Sequence, residues 1–220
     1  MTSAPTPTSA PCRALPESWV VRPRRVEDIP GVIELMRRVY VEPHGPEAVW
    51  PAETLEQHLR VFPEGQLLIV DAQGKVIADS TSMMLSQERA VRLHRWSELT
   101  DHGTLSTHDP DGDTFYGVDL AVDPDFQGLG LAHILYASRI ALALQKGCKW
   151  FVAGARMPGY HLASDLLTPE SYLALVERGL LFDPTLSKQL RLGFILRGLL
   201  RDYITDPESA NCAALISMEL

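Results

Sequence analysis

The sequence predicts a single α/β domain: one central, mixed and mostly antiparallel sheet with helices on both faces. Three observations lead there. Apolar residues recur at helical spacing in some stretches and at strand spacing in others, and the two kinds alternate along the chain. Strand-like runs at 66–71 and 75–85 flank the short turn Ala72-Gln73-Gly74, a hairpin signature. Farther on, strand 114–122, helix 131–146 and strand 149–153 form a strand–helix–strand crossover.

The elements follow in order. Residues 1–17, rich in Pro, Ser, Thr and Ala, cannot build a core and are expected to be disordered; the domain proper is 18–220. A first strand runs from Trp19 to Arg22. Residues 25–40 carry Ile29, Val32, Ile33, Met36, Val39 and Tyr40 on one helical face, with Asp28 as the expected N-cap and Pro30 in the first turn. A Pro-rich link leads to a helix at 52–61. The polar stretch 86–113 is expected to be a helical turn plus a loop at the edge of the site. Gly147 closes the crossover helix. The Arg156-Met157-Pro158-Gly159-Tyr160 stretch is a loop, helices follow at 168–178 and 183–192, and the last strands fall at 194–199 and 213–218.

Composition narrows the function. The chain has 220 residues, 45% hydrophobic and 22% charged, enough apolar material for a full core. A net charge of −8 argues against nucleic-acid binding, which needs a basic face. Cys12, Cys148 and Cys212 are odd in number and widely spaced, which fits free thiols in a reducing, cytoplasmic setting. No apolar stretch suits a membrane span, and the N-terminus lacks the features of a secretory signal. The cluster His102, His108, Asp109, Asp111 and Asp113 fails the calcium-loop pattern, because Thr114 replaces its Gly and Leu120 its final Glu; no metal is expected.

The informative segment is Leu120–Ala132. A strand ends, Pro124 stops its continuation, and Gln127-Gly128-Leu129-Gly130 turns into a helix. Such a turn aims backbone N–H groups, with the positive end of the helix dipole behind them, at a phosphate or pyrophosphate. The dinucleotide fingerprint fails because His133 replaces its third Gly, and no Walker A lysine is present. By itself the segment also reads as an ordinary strand–helix turn.

Gln127-x-x-Gly130-x-Ala132 resembles the Q/R-x-x-G-x-G/A motif of the GCN5-related N-acetyltransferase (GNAT) superfamily. Val122 to Pro124, the opening Val21-Arg22-Pro23 with Glu27-Asp28-Ile29-Pro30, and the late Gly193-Phe194 match in the same order. The second half, with Arg156 to Tyr160 and the stretch Asp183 to Phe194, resembles acetyltransferase-like domains joined to carbon–nitrogen hydrolases; the chain reads as a free-standing version. The resemblance implies a sheet splayed in its middle and acetyl-CoA, or another acyl-CoA, as cosubstrate. Gln127, Gly128, Leu129, Gly130, Leu131 and Ala132 would hold the pyrophosphate, and the main chain of Leu120, Ala121 and Val122 the pantetheine. It implies transfer to a small-molecule or peptide amine by direct attack, and allows a homodimer.

The family's strand carboxylate falls by offset near Tyr116, and Asp119 is the only carboxylate within the strand; these two are the candidate catalytic residues. Alternation sets them on opposite faces unless a bulge intervenes. The usual acid Tyr is replaced by Gln189, which has no titratable proton. Tyr160 and Tyr172 are then the alternative acids. Arg156 and Tyr160, on a loop after a strand, are the candidate acceptor-binding pair. An inactive acyl-CoA-binding module, or a partner of a separate hydrolase chain, stays open as an alternative.

Overall fold

The computed structural model describes residues 16–220. The expected disordered tail and Cys12 therefore lie almost entirely outside the described residues. Seven strands form one open sheet: β1 (Val20–Pro23), β2 (Leu67–Val70), β3 (Val76–Leu85), β4 (Thr114–Val122), β5 (Trp150–Ala155), β6 (Ile195–Leu200) and β7 (Ala213–Glu219), in spatial order β1-β2-β3-β4-β5-β7-β6. Every pairing is antiparallel except β4 with β5. That parallel pair follows from the crossover helix between them, which returns the chain to the same end of the sheet.

Helices cover both faces. On one lie α1 (Ile29–His44), α2 (Ala52–Val61), α3 (Gln87–Val91) and α4 (Trp96–Thr100). Ile29, Val32, Leu35 and Met36 of α1 pack on Leu68, Val70, Val76 and Ala121 of the sheet. The other face carries α5 (Leu131–Gln145), α6 (Pro169–Glu177) and α7 (Leu186–Arg191). Tyr136 and Ala143 of α5 meet Phe115, Phe151 and Phe194 there, in the largest apolar cluster.

Two local expectations change. Asp28 is the N-cap residue of α1, as expected, but its side chain makes no cap bond; its carboxylate is turned back to the Arg22 guanidinium, at 2.6 and 2.7 Å, and to the Arg25 amide at 2.8 Å. The stretch 86–113 holds two short helices rather than one turn, because Asp101 and His102 adopt positive φ of 50° and 54° and stop α4. Its acidic residues shape turns: Asp109 accepts from the Asp111 amide and Asp113 from the Gln87 amide. Cys148 and Cys212 are buried small hydrophobes, and burial raises the Cys148 thiol to about 11. Among the described residues, no helix is long and apolar enough to cross a membrane.

Candidate active site

The site begins where β4 and β5 part. They pair through four positions, Thr114↔Trp150 to Gly117↔Ala153, and no farther. β4 continues for five more residues to Val122, still paired on its other side with β3. The backbone of Leu120, Ala121 and Val122 that would face β5 is therefore exposed along a slot.

A β-bulge lies at the root of the slot. Thr81 pairs with Asp119 and Ser82 with Gly117, so Val118 is the extra residue. This corrects the alternation expected from sequence. The bulge turns Asp119 to the face that Tyr116 occupies, and Leu120 packs beneath α5 instead. The displaced Val118 carbonyl accepts from the Trp96 indole at 3.4 Å, and Trp96 stacks on Trp50 with ring centroids 6.2 Å apart. Trp50 also lines an open groove of about 550 Å³ with Ile33, Val41 and Val49.

Asp119 accepts a hydrogen bond from the Tyr40 hydroxyl at 2.7 Å. Burial pushes its carboxyl up to about 6; the Tyr40 bond opposes the rise, the Asp79 charge adds to it, and Arg139 opposes it. Asp119 is half-buried, so the group is enclosed without being sealed. Asp79 is paired with Arg24 through contacts of 2.5 and 3.1 Å, entirely within the core.

Tyr116 is fully buried, with its hydroxyl 2.9 Å from both His94 Nε2 and Tyr203. Burial raises its pKa well above the ordinary tyrosine value, so it cannot act as a base near neutrality. Tyr203 fits against the sheet because residue 154 is Gly: a Cβ there would lie 2.4 Å from its hydroxyl. His44, at the end of α1, has a buried Nδ1 without a hydrogen-bond partner, 4.0 Å from Asp206, and burial lowers its pKa.

At the top of the slot the chain turns into α5. Gly128 and Gly130 adopt φ of 77° and 84°, a region that penalises side chains, and the space beyond them is open. The first helical bond runs from the Ile134 amide to the Gly130 carbonyl at 3.1 Å, which leaves the Leu131, Ala132 and His133 amides pointing out of the helix end. Asp123 fixes the base of this turn: its carboxylate accepts from the Asp125 amide at 3.0 Å and is flanked by Arg38 and Lys75. Gln127 is exposed beside it.

The expected acceptor-binding pair makes contacts within the fold. Arg156 is bidentate to Asp206, at 2.7 and 2.9 Å, and also meets Glu208 at 2.9 Å. Tyr160 is 5% exposed and donates to the Leu167 carbonyl. Tyr172 donates to Asp183. Gln189 is 7% exposed and donates through Nε2 to the Tyr136 hydroxyl at 2.8 Å. Sequence reasoning passed over Tyr40, His44, Trp96, Tyr136 and Tyr203. Tyr40 and Tyr136 lie within helices, where an aromatic residue reads as core until its hydroxyl partner is seen.

The acetyltransferase (GNAT) family model matches residues 29–163. An uncharacterized N-acetyltransferase of Bacillus subtilis, YkwB, is 30% identical over 91% of this chain and 88% of its own length. The probable hydrolase YhcX of the same organism is 32% identical over 86% of this chain, which spans only 36% of that longer protein. Among solved structures, a GNAT-like decarboxylase, GphF, in complex with isobutyryl-CoA superposes with a TM-score of 0.76 at 20% identity, over 91% of this chain and 98% of that one. The ribosomal-protein-S18-alanine N-acetyltransferase of Escherichia coli superposes with a TM-score of 0.54 at 16% identity, over 91% and 93%. With the family model covering more than half the sequence and YkwB matching nearly end to end, the chain belongs to the acetyltransferase (GNAT) family.

Proposed function

We propose that the protein transfers acetyl from acetyl-CoA to an amine by direct attack, with Asp119 as the base. One observation carries the reading: an open, glycine-defined amide cradle leads into a slot between β4 and β5 that ends beside a carboxyl tuned to about 6. The pyrophosphate rests on the Gly128–Ala132 amides, and the pantetheine amides pair with the free edge of Leu120 to Val122. The thioester then stands at the bulge. The amine enters from the α1–α4 face, on which Trp50 lines an open groove.

The amine nitrogen attacks the thioester carbon. Asp119 takes the nitrogen's proton, the C–S bond breaks, and the products are the acetamide and CoA. Tyr40 holds the carboxylate in line through its 2.7 Å bond. Calorimetry with acetyl-CoA, followed by thiol release and mass spectrometry over a panel of primary amines and short peptides, tests the reading. Binding with an acetylated product supports it; absence of any acyl-CoA binding overturns it. A second reading, an acyl-CoA-binding module without transfer, draws on Gln189, which occupies the position of the family's usual acid and has no proton to give.

A further inference from the structure

We infer that Tyr136 of α5, held by Gln189, protonates the departing CoA thiolate; the inference rests on the transferase reading above. A thiolate leaving into a slot walled by apolar side chains needs a nearby proton, and the chain has six tyrosines to supply one. Five have committed hydroxyls. Tyr40 donates to Asp119, Tyr160 to the Leu167 carbonyl and Tyr172 to Asp183. Tyr116 and Tyr203 bond each other, with His94 as a further partner of Tyr116. Tyr136 accepts from Gln189 Nε2 at 2.8 Å, and among the described residues its own proton meets no acceptor.

Its height in the fold is also suitable. α5 runs antiparallel to β4: Leu131 and Leu135 pack with Val122 at the strand's end, and Ala143 packs in the cluster of Phe115 near its start. Arg139 marks the middle, because a Cβ on Gly117 would lie 2.6 Å from its Nη2. Gly117 is the last β4 residue paired with β5. Tyr136 is three residues nearer the helix start, about 4.5 Å higher at 1.5 Å per residue. Strand residues rise about 3.3 Å each, so Tyr136 stands level with Val118 and Asp119, where the slot begins. Asp119 faces α1, whereas Tyr136 approaches from the α5 side. The two groups therefore flank the slot, one to accept the amine's proton and the other to protonate sulfur.

Two neighbours complete the device. The Arg139 guanidinium lies 5.5 Å from the Tyr136 ring, a fixed positive charge opposite the phenolate that remains after the transfer. It is fully buried and bonds Ser82 Oγ and the Thr81 carbonyl, with no carboxylate of the described residues in hydrogen-bond contact. Gln189 is the positioning residue. Its Oε1 is buried without a partner, an acceptor open to a pantetheine amide. In the balanced step the C–S bond breaks, sulfur takes the Tyr136 proton, and Asp119 holds the proton lost by nitrogen. Solvent then takes the proton from Asp119 and returns one to Tyr136.

The test compares wild type, Tyr136→Phe and Gln189→Leu, by acetyl-CoA calorimetry and by the pH profile of thiol release with the best amine of the panel. Tyr136→Phe keeps the ring and its packing, so acetyl-CoA affinity should stay within about twofold while kcat falls by roughly 10²-fold, the usual contribution of a general acid. The alkaline limb of kcat should vanish and the acid limb should remain. Gln189→Leu should keep the alkaline limb, displaced, at a reduced kcat. Wild-type protein that neither binds acetyl-CoA nor releases thiol overturns the transferase reading and this assignment together. Wild-type turnover with an unchanged rate and an intact alkaline limb in Tyr136→Phe overturns this assignment alone.

Discussion

Asp119 sits between opposing influences, and their balance is its chemistry. Burial favours the neutral acid, while the Tyr40 hydrogen bond and the Arg139 charge favour the carboxylate. A value of about 6 leaves it mostly ionised at neutral pH, as its proposed role as base requires. kcat/KM should therefore rise with pH through about 6 and then level off, and Asp119→Asn should remove that limb and lower the rate by about 10²-fold or more. The same shift is a stability cost. The folded-state pKa lies above the unfolded value, so this carboxyl's contribution to stability declines as pH rises from about 4 and levels off above about 6. At pH 7 Asp119→Asn should therefore stabilise the fold, by on the order of 2 kcal/mol once slot water is allowed for. A variant both inactive and less stable at pH 7, with no gain relative to pH 4, would contradict the assignment of strain to this carboxyl. Tyr40→Phe removes the bond that opposes the shift, so the acid limb should move upward.

At the scale of elements, the turn between β4 and α5 was legible because its chemistry is local. Pro124 ends a strand, Gly128 and Gly130 supply positive φ, and an apolar helix follows. Gly130→Ala places a Cβ into open space at φ 84°, so its cost is backbone strain alone, about 1 kcal/mol, and acetyl-CoA should still bind. Gly130→Glu adds a negative charge beside the proposed pyrophosphate and should abolish binding; calorimetry on the pair separates strain from charge. The bulge at Val118 was not legible. Thr-Phe-Tyr-Gly-Val-Asp-Leu-Ala-Val reads as plain alternation, and the register change is set by β3, whose Thr81 and Ser82 meet Asp119 and Gly117. The partners of Arg156 were hidden for a related reason. An arginine on a rim loop has the chemistry of a ligand contact, but its carboxylates, Asp206 and Glu208, lie some fifty positions away and only the fold brings them together. Tyr136 escaped attention in the same way, since its meaning depends on Gln189 from another helix.

The whole molecule is two sheet segments joined by a short seam. β3 and β4 share eight paired positions, and β5 and β7 share six, whereas β4 and β5 share four. Tyr203 and Tyr116 brace the seam on one face, and Phe115 against Phe151 braces it on the other. The slot above it leaves the hydrogen bonds of β4 toward β5 unmade beyond Gly117. Acetyl-CoA lying in that slot should act as a strap between the segments rather than as a plug in one of them. Saturation at a hundredfold excess over Kd should stabilise the fold by about 2.7 kcal/mol, a rise in Tm of roughly 5–10 °C for a chain of this size. Hydrogen exchange gives the sharper measurement. Protection should increase at Leu120 to Val122 and at the Gly128–His133 amides, and also across the seam at Gly154 and Ala155 of β5. Protection confined to the turn would mean that the cofactor is held by its phosphates alone, with the thioester outside the slot and out of reach of Asp119.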